Sequence, residues 1–430
     1  MSRFLLQPDL PLCQSDLPLD WYQDEFRPYA EEYLALPDRK PATVFGWLDG
    51  YVQPACDHFG DSLLLLAHFY MGGEIVKLVE RYGGAVADSY QLALQARNHP
   101  EKKVIVESAV HFMAEAIAIL AHDDQQVWIT NPKAGCTMEL LAKDHMVLPV
   151  YDQLRERYGD DLVVVAYMNT SGRLKALAGR TGGAVCTSSN AHLVLEAAFK
   201  KARKVLFVPD RHLGENTAQR LGLDPERRVV LPEPGHGAIR IEDVDGGLEA
   251  LDRADLLLWG SFCGVHTIFT REMVAWWKER GWRVLVHPEA PLEAVLAADG
   301  QGSTNYLWSE VEKAPAGAKL VIGTEGHFVR NAMEFGAQRG VEVRHLADVP
   351  SFAQGGCGCA TMSRNDPPHL AGMLDLLRRG TPPDKNRVLA GDTIDELSLR
   401  RDRLEPEERA ELAREARLSM ERMIEIVEGA

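Results

Sequence analysis

Three times along the chain an unbroken apolar run stops at polar residues, and each time a helix-period segment follows. The runs are LLLLAHFY (63–70), LVVVAYMN (162–169) and WRVLVHPE (282–289). A short Ser/Thr/Asp turn, a second helical segment and another apolar run come next. The turns are ADSY (87–90), CTSSNA (186–191) and GSTNY (302–306). The closing runs begin at 103, 204 and 319. His68 to Ser89 and Tyr167 to Ser188 span the same 21 residues, and His287 to Ser303 is slightly shorter. Short β-branched or Leu-rich runs alternating with helices predict right-handed βαβ units and parallel sheets. The repeat predicts an α/β protein of three similar small domains, at 61–135, 136–262 and 263–383. Residues 1–60 read as an extension, with a helix expected over Trp21 to Leu36. The end of the chain predicts a packing helix with Leu412, Ala416, Met420, Met423 and Ile424 on one face. Residues 384–430 are therefore expected to close the first domain.

Length and charge narrow the class. The chain has 430 residues, enough for two or three cores. Its formal net charge is −16, from 63 acidic and 47 basic residues, and no basic face stands out for nucleic acid. No window approaches the roughly 20 apolar residues of a membrane span. The first 20 residues lack the basic and apolar regions of a signal peptide. The expectation is a cytoplasmic protein with neither nucleic-acid nor membrane partners. Seven cysteines scattered through such a chain read as thiols or ligands, not as a disulfide framework.

The polar ends of the apolar runs carry the candidate chemistry, because ligands of open parallel sheets bind beyond the carboxyl ends of the strands. Those ends hold His68 and Tyr70, Tyr167 and Asn169, and His287 and Glu289. The turns hold Asp88 and Ser89, Thr187 and Ser188, and Ser303 and Thr304. Taken singly, each Ser or Thr is an N-cap. Taken together, three helix N-termini facing one centre would suit carboxylates or phosphate.

Three loops place cysteine beside glycine: AGCTM at Cys136, SFCGVH at Cys263, and GGCGCATM with Cys357 and Cys359. They lack the local pairs of a structural zinc site. One thiolate per domain would leave one iron of a cubane cluster without a protein ligand, open to act as a Lewis acid. Buried structural thiols remain the plain alternative on spacing alone. Cys13, Cys56 and Cys186 read as ordinary thiols.

The strings AHFYM, ADSYQLA, NPKAGCTM, AYMNTS, CTSSNA, VPDRHLGE, HPE, GSTNY, IGTE and CATMSRNDPPHL stand in this order. As an ordered set over about residues 60–380 they resemble quinolinate synthase of the A type, from bacterial de novo NAD synthesis. The resemblance implies three α/β domains with parallel, three-layer sheets about a pseudo-threefold axis. It implies one 4Fe–4S cluster per chain, held by Cys136, Cys263 and Cys359. Cys359 is preferred to Cys357 because the family places its third ligand three residues before a methionine, here Met362. The family's binding positions fall on His68, Ser89, Tyr167, Met168, Asn169, Ser188, His287, Pro288, Glu289 and Thr304. The reaction implied joins iminoaspartate to dihydroxyacetone phosphate with loss of phosphate and two waters, and an aspartate-oxidising enzyme would supply the first substrate. Glu289 with His287 is the expected acid–base pair, Tyr167 the expected proton donor or acceptor, and His68 a binding residue. Ala109, where the family often has glycine, and residues 228–252 depart from the pattern. Other readings stay open: another hydro-lyase with a three-cysteine cluster, a non-catalytic metal-binding α/β protein, and a metal-free sugar-phosphate binder.

Overall fold

The computed structural model describes residues 16–235, 237–350, 358–394 and 401–430. Cys13 and Cys357 lie outside the described residues. The apolar runs form the central strands of three sheets. In the first sheet the strands lie in the order Arg387–Val388, Gln126–Ile129, Val104–Ser108, Leu63–His68, Ala85–Ala87. In the second the order is Val185–Cys186, Leu162–Tyr167, Lys204–Val208, Leu256–Leu258, Arg228–Val230. In the third it is Gly300–Gln301, Arg283–Val286, Lys319–Gly323, Glu342–His345. Each sheet repeats one pattern. The first apolar run lies between the short strand that follows it and the next long strand, and a fourth strand lies beyond. All pairings within the repeat are parallel. The chain is thus an α/β protein with three predominantly parallel sheets.

The strand sequences explain the layers. Leu63–His68 and Leu162–Tyr167 are buried at every position, as strands covered by helices on both faces must be. Residues 228–252, which departed from the resemblance, add the parallel edge strand Arg228–Val230 to the second sheet. Arg387–Val388 adds an antiparallel edge to the first sheet.

Two expectations about the termini are changed. The first is residues 1–60, expected as an extension with a helix over Trp21 to Leu36. The structure has a 3-10 turn at Leu19–Trp21 and helices at Arg27–Leu34 and Pro41–Phe59. Phe26, Val44, Leu48 and Val52 are fully buried, so this segment belongs to the core. Gly46, Gly50 and Pro54 hid the second helix from a propensity reading. The C-terminal helix Pro406–Glu428 buries Ala416, Met420, Met423 and Ile424 as expected, while Leu412 of the same face is half-buried. It does not lie chiefly on the first sheet's helices. It runs along Gly172–Arg180 of the second sheet, because Gly179 lets the backbone at Glu415 approach closely. Arg422 donates to the carbonyls of Gly179 and Gly183 (2.9 Å each), and Arg417 reaches Ile119 and Ala121 of the first unit.

Candidate active site

The carboxyl ends of the three sheets open onto one cavity, with about 640 Å³ of unfilled space including its mouth. His68 ends its strand and Tyr167 ends the matching strand of the second sheet. His287 follows directly on the third. All three line the cavity, with Ser89, Asn169, Ser188, Glu289 and Thr304. Met168 and Pro288 do not. Both are buried, and the Pro288 carbonyl accepts from Asn216 Nδ2 at 2.8 Å.

The turns resolve into caps and cavity groups. Asp88 is the N-cap of helix Ser89–Asn98, accepting from Gln91 N at 3.0 Å, and Ser303 caps Thr304–Lys313. Ser89 and Thr304 are therefore the first helical residues, with hydroxyls not used as caps. The turn of the second unit differs. Asn190 precedes helix Ala191–Lys201 and holds Thr187 N at 2.7 Å, which leaves Ser188 ahead of the cap. First-turn N–H groups at the same helix ends add donors for an anion.

Cys136, Cys263 and Cys359 all line the same cavity. Each follows the fourth strand of its own sheet: Gln126–Ile129, Leu256–Leu258 and Glu342–His345. Two are fixed by buried carboxylates that also cap helices. Asp210 caps Arg211–Arg220 and accepts from Cys263 N at 2.9 Å. Glu325 caps Gly326–Gln338 and accepts from Cys359 N at 2.9 Å. At the corresponding place in the first unit the capping residue is Val110, and His111 N donates to the Ala134 carbonyl instead.

A single hydrogen-bonded chain crosses the cavity wall. Tyr70 Oη lies 2.8 Å from Thr324 Oγ1, which lies 3.0 Å from His266 Nε2. His266 Nδ1 lies 2.7 Å from Glu289 Oε2 and 3.1 Å from Cys263 Sγ. Glu289 Oε1 accepts from Tyr167 Oη at 2.5 Å. His266 stacks on His287, with ring centroids 4.5 Å apart. Sequence reasoning placed Tyr70 at a strand end, where it lines the cavity, but did not assign His266, Thr324 or Glu325 to the site. The Cys263-x-x-His266 spacing and the strand-ending IGTE, which parallels HPE, were the available signals.

Burial sets the protonation states. It lowers His68 to about 4 and His287 to about 3, so both imidazoles are neutral. Burial alone would raise Glu289. The facing His266 and His287, with hydrogen bonds from His266 and Tyr167, outweigh it and hold the carboxyl at about 2. Tyr167 and Tyr70 are pushed up by burial and then by Glu289. The site therefore sets the ionised Glu289 carboxylate against protonated phenols.

Burial also pushes up the thiols of Cys136 and Cys263. Cys359 raises both further, and Glu289 adds to the effect on Cys263. Thiols that disfavour ionisation in each other's company become thiolates when a cation neutralises them. Three sulfurs lining one cavity are a donor set for a metal cluster. The atoms of Cys263, His266 and Glu289 also lie within 4.8 Å of one another, a donor set for a single cation.

Known proteins resemble this chain over most of its length. Residues 56–396 match the family model described as quinolinate synthetase A protein. A quinolinate synthase of Corynebacterium glutamicum is 36% identical over 413 residues, covering 95% of this chain and 94% of that protein. One of Streptomyces coelicolor is 38% identical, covering 83% and 88% of the two chains. One of Bacillus subtilis is 34% identical, covering 75% and 83%.

Proposed function

The chain belongs to the quinolinate synthase family, enzymes of NAD biosynthesis, and from that premise we propose its substrates and its machinery. It condenses iminoaspartate with dihydroxyacetone phosphate, releasing quinolinate, phosphate and two waters. A 4Fe–4S cluster is held by Cys136, Cys263 and Cys359. The observation that carries this reading is the convergence of one cysteine from each sheet on the cavity lined by the strand-end groups. When bound, the cluster supplies an iron without a protein ligand, a Lewis acid for loss of hydroxyl.

The chain's own groups supply the rest. Iminoaspartate and quinolinate each carry two carboxylates. The hydroxyls of Ser89, Ser188 and Thr304, with the adjoining helix N-termini, are placed to hold them. Glu289 is ionised and is the base that takes a proton from substrate carbon. Tyr167, hydrogen-bonded to it, returns a proton to oxygen. His266, bridging Glu289 and Thr324, connects that pair to Tyr70. His287, neutral and 3.8 Å from Glu289 Oε2, is the acid–base partner of that carboxylate, and neutral His68 orients substrate through a hydrogen bond. Iminoaspartate is the product of two-electron oxidation of aspartate, so an aspartate-oxidising enzyme is the functional partner. No helix among the described residues is long and apolar enough to cross a membrane, and the cytoplasm is the proposed location.

The test is iron and sulfide content with the visible spectrum on protein purified without oxygen, followed by quinolinate formation. About four irons per chain, lost in each of Cys136→Ala, Cys263→Ala and Cys359→Ala, is the expected result. About one metal per chain, retained in Cys136→Ala, would move the centre to Cys263, His266 and Glu289. A colourless, folded and inactive protein would overturn the cluster.

A further inference from the structure

The segment Leu17 to Tyr33 lies before the family match, which begins at residue 56. We propose that it is a clasp that holds the first and third cysteine loops in register, with Tyr22 and the Trp21 carbonyl as positioning groups. The three-cysteine reading explains why those loops matter. The clasp itself rests on contacts that need no cluster.

Its aromatic residues zip onto helix Pro367–Arg378, which begins eight residues after Cys359. Tyr22 Oη donates to Asp366, and its ring stacks on His369 at 4.7 Å. Phe26 packs on His369, with ring centroids 5.2 Å apart. Tyr29 Oη donates to Asp375 Oδ2 at 2.7 Å. The helix positions 366, 369, 372 and 375 follow the three-residue spacing of one face. Between them Gly372 leaves the space that the clasp fills. A Cβ there would meet Phe26 at 2.7 Å and Tyr29 at 2.9 Å. Asp366 is also the helix N-cap, accepting from His369 N at 3.1 Å. Tyr22 thus acts on the residue that fixes where the third cysteine loop ends.

The same segment reaches the first cysteine loop. Lys133, three residues before Cys136, donates to the Trp21 carbonyl at 3.0 Å. Arg364, five residues after Cys359, lies over the Trp21 ring at 5.9 Å and donates to the Lys133 carbonyl at 2.6 Å. Asn131 Nδ2 donates to the Arg364 carbonyl at 2.6 Å, and Thr130 Oγ1 to Asn365 Oδ1 at 2.7 Å. Two loops more than 200 residues apart in sequence are therefore tied to each other and to one N-terminal segment. The Cys263 loop has no contact with this segment among these bonds. It is held by Asp210.

That asymmetry gives the test. In full-length protein freed of metal and reduced, the alkylation rate of each cysteine is followed by peptide mass. The variants are Tyr22→Phe, Lys133→Met and Gly372→Leu. The last keeps a good helix former in the helix while displacing the clasp. Local opening at one lost hydrogen bond is expected to raise the rates at Cys136 and Cys359 by about fivefold. Cys263 and the buried Cys186 are expected to keep wild-type rates. Unchanged rates at all four, or an equal rise at all four, would overturn the clasp; the second result marks general loosening. If Gly372→Leu does not fold, the mild Tyr22→Phe change decides alone. In protein loaded with iron, the same variants are expected to lose iron to a chelator faster. Should the protein hold no iron, the alkylation result still stands, so the two readings fail separately.

Discussion

At the scale of single residues, Glu289 is the group on which the proposed chemistry turns. Its carboxylate is buried, ionised and bonded on both oxygens, to His266 and to Tyr167. Replacing it with Gln keeps the shape and removes the base. Turnover is expected to fall by about 10²–10⁴-fold, with substrate binding and metal content retained. A Gln variant at near-normal rate would remove Glu289 from its role. His68 makes a separate prediction about stability. The unfolded chain takes up its proton near pH 6.5, the folded protein only near 4. Between those values the unfolded state binds more protons, so this stability is present above 6.5 and is lost as pH falls towards 4. By pH 5 the loss is about 2 kcal/mol. Urea midpoints measured from pH 7 to pH 5 are expected to fall, and His68→Asn is expected to flatten the slope. An unchanged slope would mean that the imidazole is not neutral by burial. His68, Tyr167 and Glu289 were legible because each ends an apolar run. His266 and Thr324 were not, because their roles come from a hydrogen-bonded chain that exists only once the sheets face one another.

At the scale of elements, the sequence showed strands better than it showed contacts between helices. Apolar runs such as LVVVA and KVLFV admit little but buried parallel strands, and they are buried at every position. Helix Pro41–Phe59 escaped notice because Gly46, Gly50 and Pro54 lie within it. The C-terminal helix was recognised by its apolar face, but a face does not name its partner. The partner is set by Gly179, where a Cβ would meet the Glu415 carbonyl oxygen at 2.0 Å. That contact is with backbone and cannot be relieved by a rotamer change. Gly179→Ala is therefore expected to cost about 1–3 kcal/mol, although alanine is the better helix former. The helix around Ala416 to Ile424 is expected to exchange its amide hydrogens faster, while the strand Leu162–Tyr167 stays protected. Equal protection in variant and wild type would show that the helix has another seat.

At the scale of the whole molecule, the repeated sheets were legible and the contacts that join them were not. Nothing in the spacing of Asp88 and Asn305 announces that Asn305 Nδ2 donates to Asp88 Oδ2 at 2.6 Å. Nor does it announce the buried pair of Lys77 and Glu334 at 2.8 Å. Such contacts couple the units. Tyr167 to Glu289 joins the second to the third, and Gly172 N to Glu115 at 2.7 Å joins the second to the first. A ligand that touches all three units should stabilise all of them as one body. Quinolinate, a dicarboxylate, is the probe. At 100 times its dissociation constant it is expected to add about 2.7 kcal/mol to the stability of the folded state, seen as one upward-shifted thermal transition. Ser89 and Thr304 follow their caps and do not serve as caps. Ser89→Ala and Thr304→Val are therefore expected to leave the midpoint without ligand almost unchanged while reducing the shift. If the ligand splits the transition, or if both variants keep the full shift, the carboxylates are not held across the units at these two helix ends.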